Sequence, residues 1–351
     1  MSDQRPGSDD PGGSPDAPAG KPRTFGILTG VLVALGAALF CGTGVGALWF
    51  FDDLRGWLFT PHSVAYEHLP GSCQIVAHLD VKGALRSPVF QRQVAPALEA
   101  AVQGETDEDK LTATLVAARL DPRKDIESAA LCVQRIEGRD ADFVLILGGR
   151  IRPQVVLRAL ELHGSTGRFQ RRVAGDLNVL DVVGTTTKIS QADDGALIFG
   201  NSEDLVRAAS ASSPDWNRWA LPVSEQIALV ATRAGLQAAS EMAGSTHPLA
   251  STLAKANRGE ARFSLNTGQL SALLDLGTEK SANDAARGLN LVLLGAKIQL
   301  LRDPETRDII RSVAIGTQGS QLTGTVTVPP AVLDDAAREL AETIQRVRHL
   351  L

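Results

Sequence analysis

Residues 69–75, LPGSCQI, recur 152 positions later as residues 221–227, LPVSEQI, with five of the seven positions identical. The same offset pairs Gly83 with Gly235 and Pro96 with Pro248 without a gap. Recurrence at a fixed offset is typical of internal duplication, so the sequence predicts two tandem modules of similar structure. Chance recurrence stays an alternative, because the chain is rich in Ala, Leu and Gly and the similarity fades after Pro248.

The repeat also suggests how the chain divides. We place the first module at residues 69–213, a linker at residues 214–220 and the second module at residues 221–351. Each module then has the size of an ordinary domain. In the linker, Trp216 and Trp219 are predicted to fill the crease between the modules, with a binding patch as the alternative.

Short apolar runs separated by turn residues follow the opening of the first module. A helix over 153–163 precedes four such runs, and Gly and Asp lie in the turns between them, which predicts an antiparallel meander. The predicted strands are Gln74–Leu79, Ala129–Arg135, Asp142–Gly148, Phe169–Val173, Leu177–Val183, Thr186–Gln191 and Ala196–Phe199.

The second module shows the same mixture of strands and helices. Pro329 and Pro330 open a final helix of about twenty residues with one apolar stripe. Strands packed beside segregated helices indicate the α+β class, with mainly antiparallel sheet in both modules. The predicted strands are Gln226–Ala231, Glu260–Leu265, Leu291–Leu300, Ile309–Thr317 and Gln321–Val328.

An uncharged run at residues 25–51, FGILTGVLVALGAALFCGTGVGALWFF, precedes both modules. It is long enough to cross a hydrocarbon core of about 30 Å as a transmembrane helix. Lys21 and Arg23 precede the run and Asp52 and Asp53 follow it, so the N-terminus is expected inside and both modules outside the cytoplasmic membrane. A cleaved signal peptide is the alternative, although the run exceeds the usual apolar length of about 7–15 residues.

The segments that flank this run differ in composition. Residues 1–24 are rich in Pro, Gly, Ser and Asp and are predicted to form a disordered cytoplasmic tail. Residues 52–68 are predicted to lie along the membrane interface, with the lipid bilayer as a partner. Docking of a membrane partner is the alternative for the aromatic residues of this region. The predicted interfacial belt consists of Trp49, Phe50, Phe51, Trp57, Phe59 and Tyr66.

A stripe of small residues runs through the predicted span at a spacing of four. Such a stripe lets a second helix approach closely, so we expect association with another copy or with a different span. Composition alone is the alternative, since the run is rich in Gly and Ala. The stripe consists of Gly26, Gly30, Ala34, Ala38, Gly42 and Gly46.

Two of the three cysteines lie on predicted strands of the first module. Outside the cytoplasm, Cys73 and Cys132 are free to form a disulfide, whereas Cys41 lies in the predicted span and cannot reach them. Two buried free thiols are the alternative, because sequence does not give the distance between the Cα atoms.

Several classes of function are disfavoured by composition. The formal net charge of −5 argues against a nucleic-acid partner, and only seven aromatic residues remain in residues 67–351 to stack on bases or sugars. The six histidines show no metal-ligand spacing, so no metal or other cofactor is expected. No G-x-S-x-G, H-E-x-x-H or phosphate-binding loop pattern occurs, which lowers the expectation of an enzyme.

The first module opens with Leu69-Pro70, an apolar strand that ends at Asp80, Leu85, and Ser87-Pro88-Val89-Phe90, and Leu120–Ile126 follows further along. These motifs resemble those of a group of uncharacterised bacterial single-pass membrane-anchored proteins. The resemblance covers residues 69–210 well. It implies an extracytoplasmic, duplicated α+β domain of unknown function and supplies no catalytic residues.

The expected role is therefore non-catalytic. We expect a membrane-anchored binding or scaffold protein that engages an unknown envelope protein. A carrier of lipids or other amphiphiles is one alternative, because the modules are rich in Ala, Leu and Val. An envelope hydrolase without a recognisable motif is the other, since catalytic groups can be assembled in space from distant residues.

Overall fold

The computed structural model describes nine segments of the chain. The predicted tail, transmembrane span and small-residue stripe lie outside them. Within them, no helix is both long and apolar enough to cross a membrane. The segments are residues 63–96, 120–137, 140–163, 169–175, 177–211, 214–222, 225–243, 249–299 and 304–348.

One antiparallel sheet of 12 strands unites the described chain, and its strand order is β11-β12-β10-β9-β8-β1-β2-β3-β7-β6-β5-β4. The predicted α+β class is confirmed, and so is the meander from β4 to β7. The strands are β1 Ile75–Asp80, β2 Ile126–Glu137, β3 Asp140–Gly149, β4 Phe169–Ala174, β5 Leu177–Val182, β6 Lys188–Gln191, β7 Leu197–Gly200, β8 Ile227–Thr232, β9 Arg258–Ser264, β10 Gln269–Asp275, β11 Ala314–Gln318 and β12 Gln321–Thr327.

The helices of the described segments connect these strands. Two are 3₁₀ helices, Ala65–His68 before β1 and Pro214–Trp219 before β8. The α-helices are α1 Val81–Arg86, α2 Pro88–Gln93, α3 Pro122–Asp125, α4 Pro153–His163, α5 Glu203–Ser210, α6 Arg233–Ala243, α7 Ala250–Leu253, α8 Glu279–Gln299, α9 Pro304–Ser312 and α10 Pro330–Arg348.

Helices cover both faces of the sheet in the first half of the molecule. Alternate residues of a strand point to opposite faces. Val76 and Val144 point to the face that we call the front, where the two 3₁₀ helices and α5 pack on it. Leu79 and Leu147 point to the back face, where α1, α2 and α4 pack. Strands covered on both faces have no solvent side, which is why β2 and β3 read as nearly continuous apolar runs.

In the second half, α6, α7 and α8 pack on the back face. α6 and α8 contribute Leu236, Ala282 and Ala286 to an apolar cluster on β8, β10 and β12. α10 crosses to the first half, where Asp334 accepts a hydrogen bond of 3.0 Å from Arg92 of α2.

The two halves meet where β1 pairs with β8, and this contact is nearly symmetric. Ala77 lies opposite Leu229 at the centre of the pairing. The amide of Asp80 donates to the carbonyl oxygen of Gln226 at 2.8 Å, and the amide of Thr232 donates to the carbonyl oxygen of Gln74, also at 2.8 Å. Under the offset of 152, Gln74 corresponds to Gln226 and Asp80 to Thr232. Each half therefore gives the other the same contact.

The order of elements also repeats. The first half runs strand, helices, two strands, helix, four strands, helix. The second half runs strand, helices, two strands, two helices, two strands, helix. The sheet places β1-β2-β3-β7-β6 on one side of the junction and β8-β9-β10-β12-β11 on the other. The hairpin β4–β5 has no counterpart among the described strands of the second half.

Two strand predictions in the second module are wrong. Residues 291–299 belong to the long helix α8, and residues 309–312 belong to α9. Thr278 is the N-cap of α8, because its side chain accepts a hydrogen bond of 3.1 Å from the amide of Ser281. Ala282, Ala286 and Leu289 then follow at helical spacing and pack on the sheet. An apolar run of this length fits a strand or a helix, and the buried residues before it decide for the helix.

The predicted linker is short but ordered. Pro214–Trp219 forms a 3₁₀ helix, and the side chain of Trp219 is only 1% exposed. It belongs to the same buried cluster as Val76 of β1 and Ala228 and Val230 of β8. The side chain of Trp216 is outside the described part.

The two equivalent glycines of the junction offer a matched pair of substitutions. A Cβ atom at Gly235 would lie 2.5 Å from the carbonyl oxygen of Gln74, which is backbone and cannot turn away. A Cβ atom at Gly83 would clash with the Asp80 carboxylate, which can rotate. We expect Gly235→Ala to lower the free energy of unfolding by about 2 kcal/mol. Gly83→Ala should lower it by about 1 kcal/mol, through the helix cap that Asp80 gives to α1.

Urea denaturation of the two full-length variants in detergent measures the difference. Both positions are the third residue of a helix, so the gain in helix propensity is the same for both variants. An equal loss of stability in the two variants, or a larger loss for Gly83→Ala, would contradict the prediction.

Candidate functional site

The segment before β1, which we call the leading segment (residues 63–74), lies on the front face and makes several polar contacts with the elements around it. Its first residue is fixed to the end of β3, because the amide of Ser63 donates to the carbonyl oxygen of Gly149 at 3.0 Å. The Gly149 amide donates back to Ser63 Oγ at 3.2 Å. Ala65 donates to Ser128 Oγ of β2 at 3.1 Å. The part of the predicted juxtamembrane segment from Ser63 to His68 therefore packs on the sheet.

A disulfide fastens the other end of the leading segment. Cys73 and Cys132 are joined with a distance of 2.11 Å between the sulfur atoms and 5.5 Å between the Cα atoms. Both residues are buried in the front-face cluster. The bond ties the leading segment to the middle of β2, where Cys132 lies opposite Val76 of β1.

His68 connects the leading segment to two further elements. Its ring is 1% exposed, with Nε2 2.8 Å from Asp194 Oδ2 and Nδ1 3.1 Å from the carbonyl oxygen of Ala209. These two contacts join the leading segment to the β6–β7 turn and to the end of α5.

A second histidine is buried on the front face without such partners. His78 of β1 is 3% exposed, and its Nδ1 has no hydrogen-bond partner within the described residues. Tyr66 of the leading segment packs edge-on against it, with 5.4 Å between the ring centroids. Burial lowers the pKa of His78 to about 4, and the nearby Asp80 carboxylate acts more weakly in the opposite direction. At neutral pH this ring is therefore uncharged.

Trp219 is buried on the front face, in the cluster that also contains residues of β1 and β8. Its indole N–H has no hydrogen-bond partner in the described part of the chain. Its carbonyl oxygen accepts a hydrogen bond of 2.5 Å from Arg258 of β9. The guanidinium of Arg218 lies 5.3 Å from the ring centroid.

Hydrogen bonds and a disulfide hold the leading segment to β2, β3, the β6–β7 turn and α5. Across the described residues, no group of three or more His, Cys, Asp or Glu side chains is placed to hold a metal ion. Of the predicted site residues, the structure brings Cys73, Cys132 and Tyr66 onto the same face, and the remaining belt residues lie outside the described part.

Sequence reasoning missed two surface features of the second half. On α8, residues 288–296 carry no charge, and Leu291 is 70% exposed, with Val292 and Leu294 also exposed. Beside α8, the edge strand β11 is uncharged and largely exposed. The uncharged run was visible in the sequence, but its placement in a predicted strand hid the exposed helix surface.

Comparison with known proteins adds a distant structural likeness. No protein-family model and no curated protein matches the chain. One crystal form of TP0453, form III, aligns with a TM-score of 0.42 and 10% identity over 80% of this chain and 97% of that chain. Form I aligns with a TM-score of 0.40 and 11% identity over 80% of this chain and 99% of that chain.

Proposed function

We propose that this chain is a membrane-anchored, extracytoplasmic binding or scaffold protein without catalytic activity. The disulfide between Cys73 and Cys132 carries the proposal, because such bonds persist in oxidising compartments. In the sequence, Cys73 comes shortly after the uncharged run 25–51. Lys21 and Arg23 before this run favour an N-terminus in the cytoplasm. An anchor in the cytoplasmic membrane and a disulfide-bonded domain outside it are consistent with each other.

The way in which the domain is attached supports a scaffold role. Only residues 52–62 separate the predicted span from Ser63, and eleven residues reach at most about 40 Å when extended. The hydrogen bonds of Ser63 and the disulfide hold the leading segment on the sheet, so this segment cannot detach and lengthen the connection to the membrane. The domain would therefore stay close to the bilayer, where it would meet an envelope protein, and the small-residue stripe would pair the anchors.

We also propose that the two halves arose by duplication of one module. The offset of 152 in the sequence and the reciprocal backbone bonds at the β1–β8 junction support this origin. The matching order of strands in the two halves supports it as well. The hairpin β4–β5 would then be a later insertion.

Fusions at the C-terminus test the proposed orientation. We expect alkaline phosphatase after Leu351 to be active and green fluorescent protein at the same position to be dark. Phosphatase after residue 24 serves as the matched control and should be inactive. The reverse pattern would contradict the proposal, because it would place both halves in the cytoplasm.

Crosslinking in intact cells then tests the binding role. Purification through a C-terminal tag should recover one envelope protein in a fixed ratio to this chain, and mass spectrometry would identify it. Recovery of the chain alone, with the orientation correct, would contradict the binding role.

A further inference from the structure

The two edges of the sheet differ in charge. β4 carries Arg171 and Arg172, and Arg172 donates hydrogen bonds to Asp181 and Glu203 at 2.9 Å each. Both hydrogen bonds raise the pKa of Arg172, and the bond to Glu203 lowers the pKa of that carboxyl group. Charged side chains on an edge strand oppose the addition of a further strand. The β4 edge is therefore protected.

The opposite edge has no such protection. β11, with the sequence AIGTQ, contains no charged residue, and four of its five residues are exposed. Among the described strands, it pairs with β12 alone. The backbone N–H and C=O groups on the outer side of β11 are therefore available to pair with another strand.

The first half shows what occupies the equivalent place. The strands β3, β7 and β6 have the same arrangement as β10, β12 and β11. β6 is paired on both sides, because β5 of the additional hairpin adds to it with Leu180 opposite Ile189. The fold thus accepts an antiparallel strand beside β6, and beside β11 this position is open in the described chain.

We propose that β11 pairs with β11 of a second copy of this chain, antiparallel and about a two-fold axis. With Gly316 opposite the partner's Gly316, Ile315 lies opposite the partner's Thr317, and Ala314 opposite the partner's Gln318. No like charges face each other in this register, so no charge repulsion between the two strands opposes self-pairing. The same geometry already occurs within the chain, where β1 and β8 pair with Ala77 opposite Leu229. The pairing does not depend on the proposed function.

Cysteine crosslinking of the full-length protein tests the register. The variant is Gly316→Cys in a Cys41→Ser background, oxidised in membranes and in detergent. Antiparallel partners at the axis have Cα atoms about 4.5–5.5 Å apart, within disulfide range. We expect most of the protein to become a covalent dimer. The matched control is Gly288→Cys, which is also exposed and uncrowded but lies on α8.

Charge substitution tests the interface without oxidation. A Cβ atom at Gly316 meets only Thr323 Oγ1, at 3.4 Å, so longer side chains fit the folded monomer. In a Gly30→Ile/Ala38→Ile/Gly42→Ile background, which removes the pairing of the anchors, Gly316→Lys alone and Gly316→Glu alone should each raise the dissociation constant of the dimer at least tenfold by light scattering, and a mixture of the two should restore it. Crosslinking at residue 316 that does not exceed crosslinking at residue 288 would overturn the proposal, even where the anchors make the protein a dimer. Crosslinking of residue 316 to a different protein would overturn it too.

Discussion

Loss of the Cys73–Cys132 bond should lower the free energy of unfolding by about 4 kcal/mol, because the bond closes a loop with a sequence separation of 59. In the chain-entropy account, the closed loop restricts the unfolded chain, so reduction raises the entropy of that state. In the folded state, the bond holds the leading segment to β2, and Ser63 and His68 still hold it after reduction. The reduced protein should therefore fold the same way and unfold at lower urea.

Urea denaturation of the full-length protein in detergent, with and without reductant, measures this loss. Cys73→Ala/Cys132→Ala should match the reduced protein and should no longer respond to reductant. Cys41→Ser is the matched control and should keep the full response. Alkylation of the unfolded, unreduced protein should modify one of the three cysteines, and after reduction all three. Modification of all three without reductant, or a loss below about 1 kcal/mol, would contradict the prediction.

Elements with strong local signals could be predicted from the sequence. The helix 153–163 and the strands of the meander agree with the structure within two residues, because turn residues bound each of them. The repeat at 69 and 221 lies directly before β1 and β8, the strands that form the junction. α8 could not be predicted in the same way. Its apolar residues Leu291 and Leu294 face solvent, so burial does not explain their pattern.

The contacts of the candidate site were mostly beyond sequence reasoning. His68 and Asp194 are 126 positions apart, and nothing local to either residue indicates the other. Only tertiary packing brings the 3₁₀ helix of the leading segment to the β6–β7 turn. The cysteine pair could be proposed because so few cysteines are present, and the compartment limited the choice. A contact between distant residues can therefore be predicted from the sequence when the residue type is rare, as for the cysteines, but not for His68 and Asp194.

Mild acid should destabilise the protein through His78. In the unfolded chain the pKa of this ring is 6.5, and burial lowers it to about 4 in the folded state. Between these values the unfolded chain binds the proton and the folded chain does not. The stability contributed by the neutral ring is thus complete above pH 6.5 and falls as the pH drops towards 4. The shift corresponds to a loss of about 3 kcal/mol.

His78→Leu should remove this dependence, because leucine fills a similar volume and does not titrate. Its Nδ1 has no partner among the described residues, so the substitution breaks no hydrogen bond there. Urea midpoints of the full-length protein between pH 7.5 and 4.5 should fall steeply for the wild type and shallowly for the variant. Val76→Ala, on the same strand face, is the destabilised control and should keep the wild-type slope at lower stability. Equal slopes for the wild type and His78→Leu would show that His78 is protonated in the folded state, or that other groups govern acid stability.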